Sequence, residues 1–241
     1  MTLHGTTSPL FGSAACSSAL SSLTTQVRQN VFENAVSHTM SRAINGNAQL
    51  KGALAAVPPF KTVFDTKNSL AMQLQAVARL IAARGSLGVK RQVYFVSLGG
   101  FDNHDGLSTQ HPVLLTTLAN ALSSFYNATV ELGVSNQVTA FTASDFGRTL
   151  STNGDGTDHG WGSHHFVLGG AVNGGRFHGI LPATAVNGPD DVGQGRLLPS
   201  TAVDQYGAAL ASWFGVNASE MSTVLPYSKN FDLTTLKLFK G

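Results

Sequence analysis

Val93-Tyr94-Phe95-Val96-Ser97-Leu98-Gly99-Gly100-Phe101-Asp102-Asn103-His104 decides how the chain is read. Residues 93–98 are almost wholly apolar, as expected of a short strand buried in the middle of a parallel sheet. Gly99 and Gly100 let the backbone turn sharply, and the turn delivers Asp102 and His104 to the strand exit. Gathering a carboxylate and an imidazole there costs free energy unless an ion or a substrate uses them. Two apart on an extended segment, they share a face. A turn aspartate beside a surface histidine would read the same in isolation.

Downstream, residues 137–143 form a second apolar strand that leads into Ser144-Asp145-Phe146-Gly147-Arg148. There Asp145 faces the same crevice as Asp102 if the strands are neighbours, and Arg148 offers a planar fork of donors to a substrate anion. Helix capping and a structural salt bridge are the competing roles of these two residues. Next comes Gly156-Thr157-Asp158-His159-Gly160-Trp161-Gly162-Ser163-His164-His165, glycine-rich enough to fold around an ion. Six of the eight histidines lie between Phe101 and His178. That concentration favours a metal centre over incidental surface residues. Imidazoles with carboxylates suit Zn, Mn or Fe, and an oxygen-rich subset suits Ca or Mg. His178 reads as a packed loop residue, and Asp105 and His111 as residues at a helix start.

Between the two strands, residues 109–133 read as a helix carrying Leu114, Leu115, Leu118, Leu122, Phe125 and Val130. Residues 166–168 read as a third strand and 202–214 as a short helix. Strand, helix and strand with chemistry after each strand is the doubly wound α/β arrangement, a mainly parallel sheet flanked by helices. Upstream the pattern is helical. Leu20, Leu23, Val27, Val31, Ala35 and Ile44 mark a helix over 17–44 that ends at Asn45-Gly46-Asn47, and residues 69–84 form a second amphipathic helix. Residues 1–90 are thus expected to be a helical segment packed on an α/β metal-site core of residues 91–241.

Composition narrows the function. The chain has 241 residues, 42% of them hydrophobic and only 12% charged, against roughly 25% charged in an average domain. Fifteen scattered bases and thirteen acids leave a net charge of +2, which gives no footprint for nucleic acid. No stretch reaches the length of a membrane span. Cys16 is alone, so intrachain disulfides are excluded and the thiol reads as structural. Met1 to Gly12 carry neither the basic start nor the apolar core of a secretion signal.

These motifs, in this order, resemble one bacterial family. Gly-Gly-Phe-Asp-Asn-His after a strand, Ser-Asp-Phe-Gly-Arg-Thr, Gly-Thr-Asp-His-Gly, a glycine pair, then residues 211–216 and 225–231 are similar to the domain-of-unknown-function family 1501, which is grouped with the alkaline phosphatase and sulfatase superfamily. The resemblance implies an alkaline phosphatase-like α/β fold and a hydrolytic centre of one or two metals. Asp102 and His104 would be ligands, as would Asp145, where Phe146 replaces the usual polar ligand. Asp158-His159 either supplies the missing imidazole or is itself the matching pair. Family members are exported, about twice as long, and open with a strand that bears an Asp ligand and a Ser or Thr nucleophile. This chain therefore resembles the C-terminal half, with the N-terminal part of the fold absent and no position matching the nucleophile.

The expectation is a metal-dependent hydrolase of a phosphate, sulfate or carboxylic ester or lactone. It would use a divalent ion (Zn, Mn or Ca) and a metal-activated water. Asp102, His104, Asp145, Asp158 and His159 are the candidate ligands. His164 is the candidate ligand or acid–base group, and Arg148 the anion holder. The alternative is a non-catalytic metal- or ligand-binding protein on a truncated fold. Exposed sheet edges would favour a homo-oligomer.

Overall fold

A computed structural model describes residues 10–240, so most of the Met1–Gly12 stretch lies outside the described residues. The chain divides into two compact units.

The first unit comprises Met1–Phe60 and Gln75–Tyr94. Its helices are α1 (Ala14–Thr24), α2 (Val31–Ala55), the later part of α3 (Ser69–Ala82) and α4 (Arg84–Leu87). The single helix expected over 17–44 is two helices, and its far end lies eleven residues later. Asn30 makes the break, because its side chain accepts the amide protons of Phe32 and Glu33 and so starts a new helix. Asn45-Gly46-Asn47 does not stop α2. A glycine in a helix interior costs only about 1 kcal/mol relative to alanine, and beyond it Ala53 is buried and Arg79 donates to the Leu54 carbonyl at 3.1 Å. The face of α2 that carries Phe32, Val36 and Met40 is exposed. Cys16, read as structural, is an exposed free thiol.

The second unit comprises Lys61–Leu74 and Phe95–Gly241. Its long helix α5 (Leu107–Glu131) buries Ala121, Phe125 and Ala128. Leu70, Ala71 and Leu74 are buried as well. Asn68 donates to the Thr117 carbonyl at 2.8 Å. At the far end of α5, Glu131 accepts the amide protons of Lys61 and Thr62 at 2.7 and 2.8 Å, and these bonds hold its carboxyl below the ordinary range. Strand β1 (Thr139–Phe141) pairs antiparallel with β4 (Val167–Gly169), and β2 (Gly147–Thr152) pairs antiparallel with β3 (Thr157–Gly160). Helices α6 (Val203–Phe214) and α7 (Met221–Val224) follow.

The doubly wound, mainly parallel, alkaline phosphatase-like sheet is therefore not the fold of this chain. Among the described residues, two separate two-stranded antiparallel sheets stand in its place. Residues 93–98, expected at the centre of a parallel sheet, are extended but have no strand partner among the described residues. Their exposure alternates, with Val93 80% and Phe95 93% exposed. The main chain of Ser97 bonds instead to the side-chain amide of Gln73, through N–H to Oε1 at 3.0 Å and C=O to Nε2 at 2.9 Å. An apolar run sets an extended backbone and says nothing of its neighbours. Residues 139–141 satisfy one edge with the nearby β4 rather than with residues 93–98. Among the described residues no helix is long and apolar enough to cross a membrane.

Candidate metal centre

The site is built on the β2–β3 hairpin, where Arg148 lies opposite His159 across the ladder. Asn153-Gly154-Asp155-Gly156 closes the hairpin with turn-forming residues. Two glycines are fixed by close approach. A Cβ at Gly147 would collide with the Gly162 carbonyl, and one at Gly156 with the main-chain carbonyls of His104 and Asn103. The hairpin is bonded to the Asp102–Asn103–His104 turn by Thr157 N–H to Asn103 O at 3.3 Å, and to the start of α5 by Leu107 N–H to Asp155 O at 3.0 Å. Asn103, 3% exposed, anchors that turn by donating to the Gly100 carbonyl at 2.9 Å, while its buried Oδ1 has no partner among the described residues. Gly100 takes φ +97°, a backbone conformation that side chains disfavour.

Asp102 Oδ1 lies 3.0 Å from His104 Nε2 and 2.7 Å from His159 Nε2, and the two nitrogens are 3.3 Å apart. Ligand atoms about 2.1 Å from one ion stand roughly 3.0 Å apart at a right angle and roughly 3.4 Å apart at the tetrahedral angle. The three atoms thus have the mutual spacing of ligands on one face of a coordination sphere. Two imidazoles and one carboxylate fit Zn, Mn or Fe. They fit Ca poorly, since that ion takes six to eight oxygens. All three side chains are about half exposed, so the remaining positions around such an ion would be open to solvent.

Each of these groups has a neighbour that restrains it. Arg148 donates from Nη1 to Asp102 Oδ1 at 2.8 Å, from Nε to Thr157 Oγ1 at 3.0 Å, and from Nη2 to the Thr157 carbonyl. Its side chain is only 14% exposed. Donation from His159, then from Arg148, holds the Asp102 carboxyl below the usual aspartate range. The Phe146 ring stacks on the His159 imidazole at 4.2 Å and 12°, with the Arg148 guanidinium 5.8 Å from the same ring. Phe146, which stands where the family resemblance expects a polar ligand, is thus a packing partner of a candidate ligand. Asp158 Oδ1 approaches His104 Nδ1 at 3.4 Å.

Asp145 is exposed and lies outside this convergence, as does His164. Next to Asp145, the Ser144 hydroxyl donates to the Phe146 carbonyl at 2.9 Å. His165 Nδ1 meets Thr142 Oγ1 at 3.3 Å, and its ring stacks parallel to Tyr206 at 6.0 Å. His178 is tied to the Asn173 carbonyl at 3.1 Å, as befits a packed loop residue. His111 lies inside α5, edge-on to Phe101 at 5.7 Å. Arg148, read as an anion holder, spends its donors inside the site. The Asn-Gly and Asp-Gly pairs between Thr152 and Thr157 are the sequence signal for this hairpin.

Comparison with protein-family models matches residues 13–220 to a family described as protein of unknown function (DUF1501). No curated protein and no solved structure matches the chain. That match covers most of the sequence, and the chain belongs to the DUF1501 family.

Proposed function

We propose that the chain is a metal-dependent hydrolase of an ester bond, with Asp102, His104 and His159 holding one divalent ion. The observation that carries this reading is the meeting of Asp102 Oδ1 and the two Nε2 atoms within 3.3 Å of one another at an open surface. A bound ion there supplies Lewis-acid polarisation of the scissile group and a water acidic enough to act as nucleophile near neutral pH. The chain's own residues do the rest. Asp102 brings the negative charge, and Arg148 fixes the direction of its carboxylate. Phe146 limits rotation of the His159 ring. His164, exposed and five residues beyond His159, is the candidate for proton transfer to the leaving group. Phosphate, sulfate and carboxylic esters are the substrate classes suggested by the resemblance to the alkaline phosphatase and sulfatase superfamily.

The test is hydrolysis of aryl phosphate, sulfate and carboxylic esters by the purified chain, before and after chelation. Turnover lost on chelation and restored by one defined metal supports the reading, provided that Asp102→Ala/His159→Ala stays inactive. Turnover that survives chelation sinks it. The second reading, an ion-binding protein without catalysis, draws on the engagement of Arg148 by Asp102 and Thr157, which uses donors that a substrate anion would need. Stoichiometric ion binding with no turnover on any of the three ester classes would select it.

A further inference from the structure

The two ring nitrogens of His104 face two different carboxylates. Nε2 lies 3.0 Å from Asp102 Oδ1, and Nδ1 lies 3.4 Å from Asp158 Oδ1. The nitrogens of an imidazole point away from each other, so Asp158 stands behind the ring relative to the point where the three ligand atoms meet. Asp158 and His159 are consecutive on β3, and consecutive strand residues point to opposite faces. They therefore approach His104 from different sides. The Asp158 carboxylate is itself restrained, since Asn153 Nδ2 donates to the same Oδ1 at 3.1 Å. Its main chain is pinned where the Asp158 N–H donates to Thr149 Oγ1 at 3.1 Å. Among the described residues, the group of three or more ligand side chains that converges is Asp102, His104 and His159, without Asp158.

We infer that Asp158 is a positioning residue for His104 and not a ligand. Accepting the Nδ1 proton fixes the tautomer that leaves the Nε2 lone pair free for an ion, and a carboxylate in that place makes the imidazole a stronger donor. Asn153 would then hold Asp158 by a hydrogen bond, and Asp158 would hold the His104 ring from 3.4 Å behind it. This inference rests on the ion-binding reading above, and it alters the role that the Asp-His pair has in a simple count of ligands.

The test is titration of the metal-free chain with Co(II), followed by calorimetry and by the visible absorption of the bound ion. Wild type, Asp158→Ala, Asp158→Asn and Asp102→Ala are compared, each checked for folding by circular dichroism. Losing such an outer partner weakens binding by about 10- to 100-fold. Asp158→Ala should show that loss while keeping one equivalent and the wild-type absorption bands. Asp158→Asn, which keeps an acceptor oxygen in the same shape, should lie between, and it carries the test if the alanine variant does not fold. Asp102→Ala should bind nothing. A shifted spectrum or lost equivalent in the Asp158 variants would make Asp158 a ligand and overturn the inference. Unchanged affinity in both would overturn it too, with the ion-binding reading intact. No binding by wild type would overturn both.

Discussion

The hairpin β2–β3 and the extended residues 93–98 both lead into the site, and they hold their backbones in opposite ways. The hairpin is paired along its ladder, locked by glycines that admit no side chain, and bonded to the Asp102–His104 turn. Residues 93–98 have no strand partner among the described residues, present Val93 and Phe95 to solvent, and borrow one side-chain amide from Gln73. Apolar content is therefore a poor guide to strand pairing here. The polar, glycine-rich segment is the one whose main-chain groups are paired, across its own ladder and with the Asp102–His104 turn. The apolar segment still needs neighbours to complete its edges.

That contrast breaks most directly at Gly156. Gly156→Ala would drive a methyl group into the carbonyls of Asn103 and His104, and should destabilise the chain by roughly 3 kcal/mol in urea melts and abolish ion binding. Wild-type stability in that variant would mean the hairpin is not locked to the turn. A smaller effect is expected at Phe146. Phe146→Ala removes the stack on His159 and should cost about 1 kcal/mol, whereas Phe146→Tyr should restore it.

Asp102 gives the contrast a pH signature. Its folded-state carboxyl titrates below the ordinary aspartate value of about 3.9, so its contribution is fully present above that value and is lost as pH falls through the lowered one. The difference in melting temperature between wild type and Asp102→Asn should be present at pH 7 and shrink in strong acid. A difference that grows in acid would reverse the sign of the argument. The smallest change in stability belongs to the exposed run. Phe95→Ser should stay within about 0.5 kcal/mol of wild type. The same substitution should lower any self-association seen by light scattering at micromolar concentration, which is the proposal for the open segment. A large loss of stability would show that Phe95 is packed.

Much of the helical framework was legible from periodicity. The stripes over 69–84, 109–133 and 202–214 correspond to Ser69–Ala82, Leu107–Glu131 and Val203–Phe214. The apolar runs near 139–141 and 167–169 were legible as strands, but their antiparallel pairing with each other was not, because a run fixes conformation and leaves the partner undetermined. β2 and β3 carry no strand signal in the sequence, since Arg148, Ser151, Asp158 and His159 break any apolar alternation. Within the site, the i, i+2 spacing of Asp102 and His104 announced their convergence. Joining them to His159, 55 residues beyond His104 in sequence, needed the hairpin register. Asp145 and His164 carried the same chemical promise in sequence, yet lie outside the cluster because β2 begins at Gly147 and β3 ends at Gly160. Neither ladder holds them against the turn.

The most direct test of the metal centre is plasma mass spectrometry on gently purified protein after equilibration with Zn or Mn and desalting, for wild type, Asp102→Ala/His159→Ala and Asp145→Ala. The account predicts about one equivalent in wild type and Asp145→Ala, and none in the double variant. No retained ion in wild type, or equal retention in the folded double variant, would contradict it.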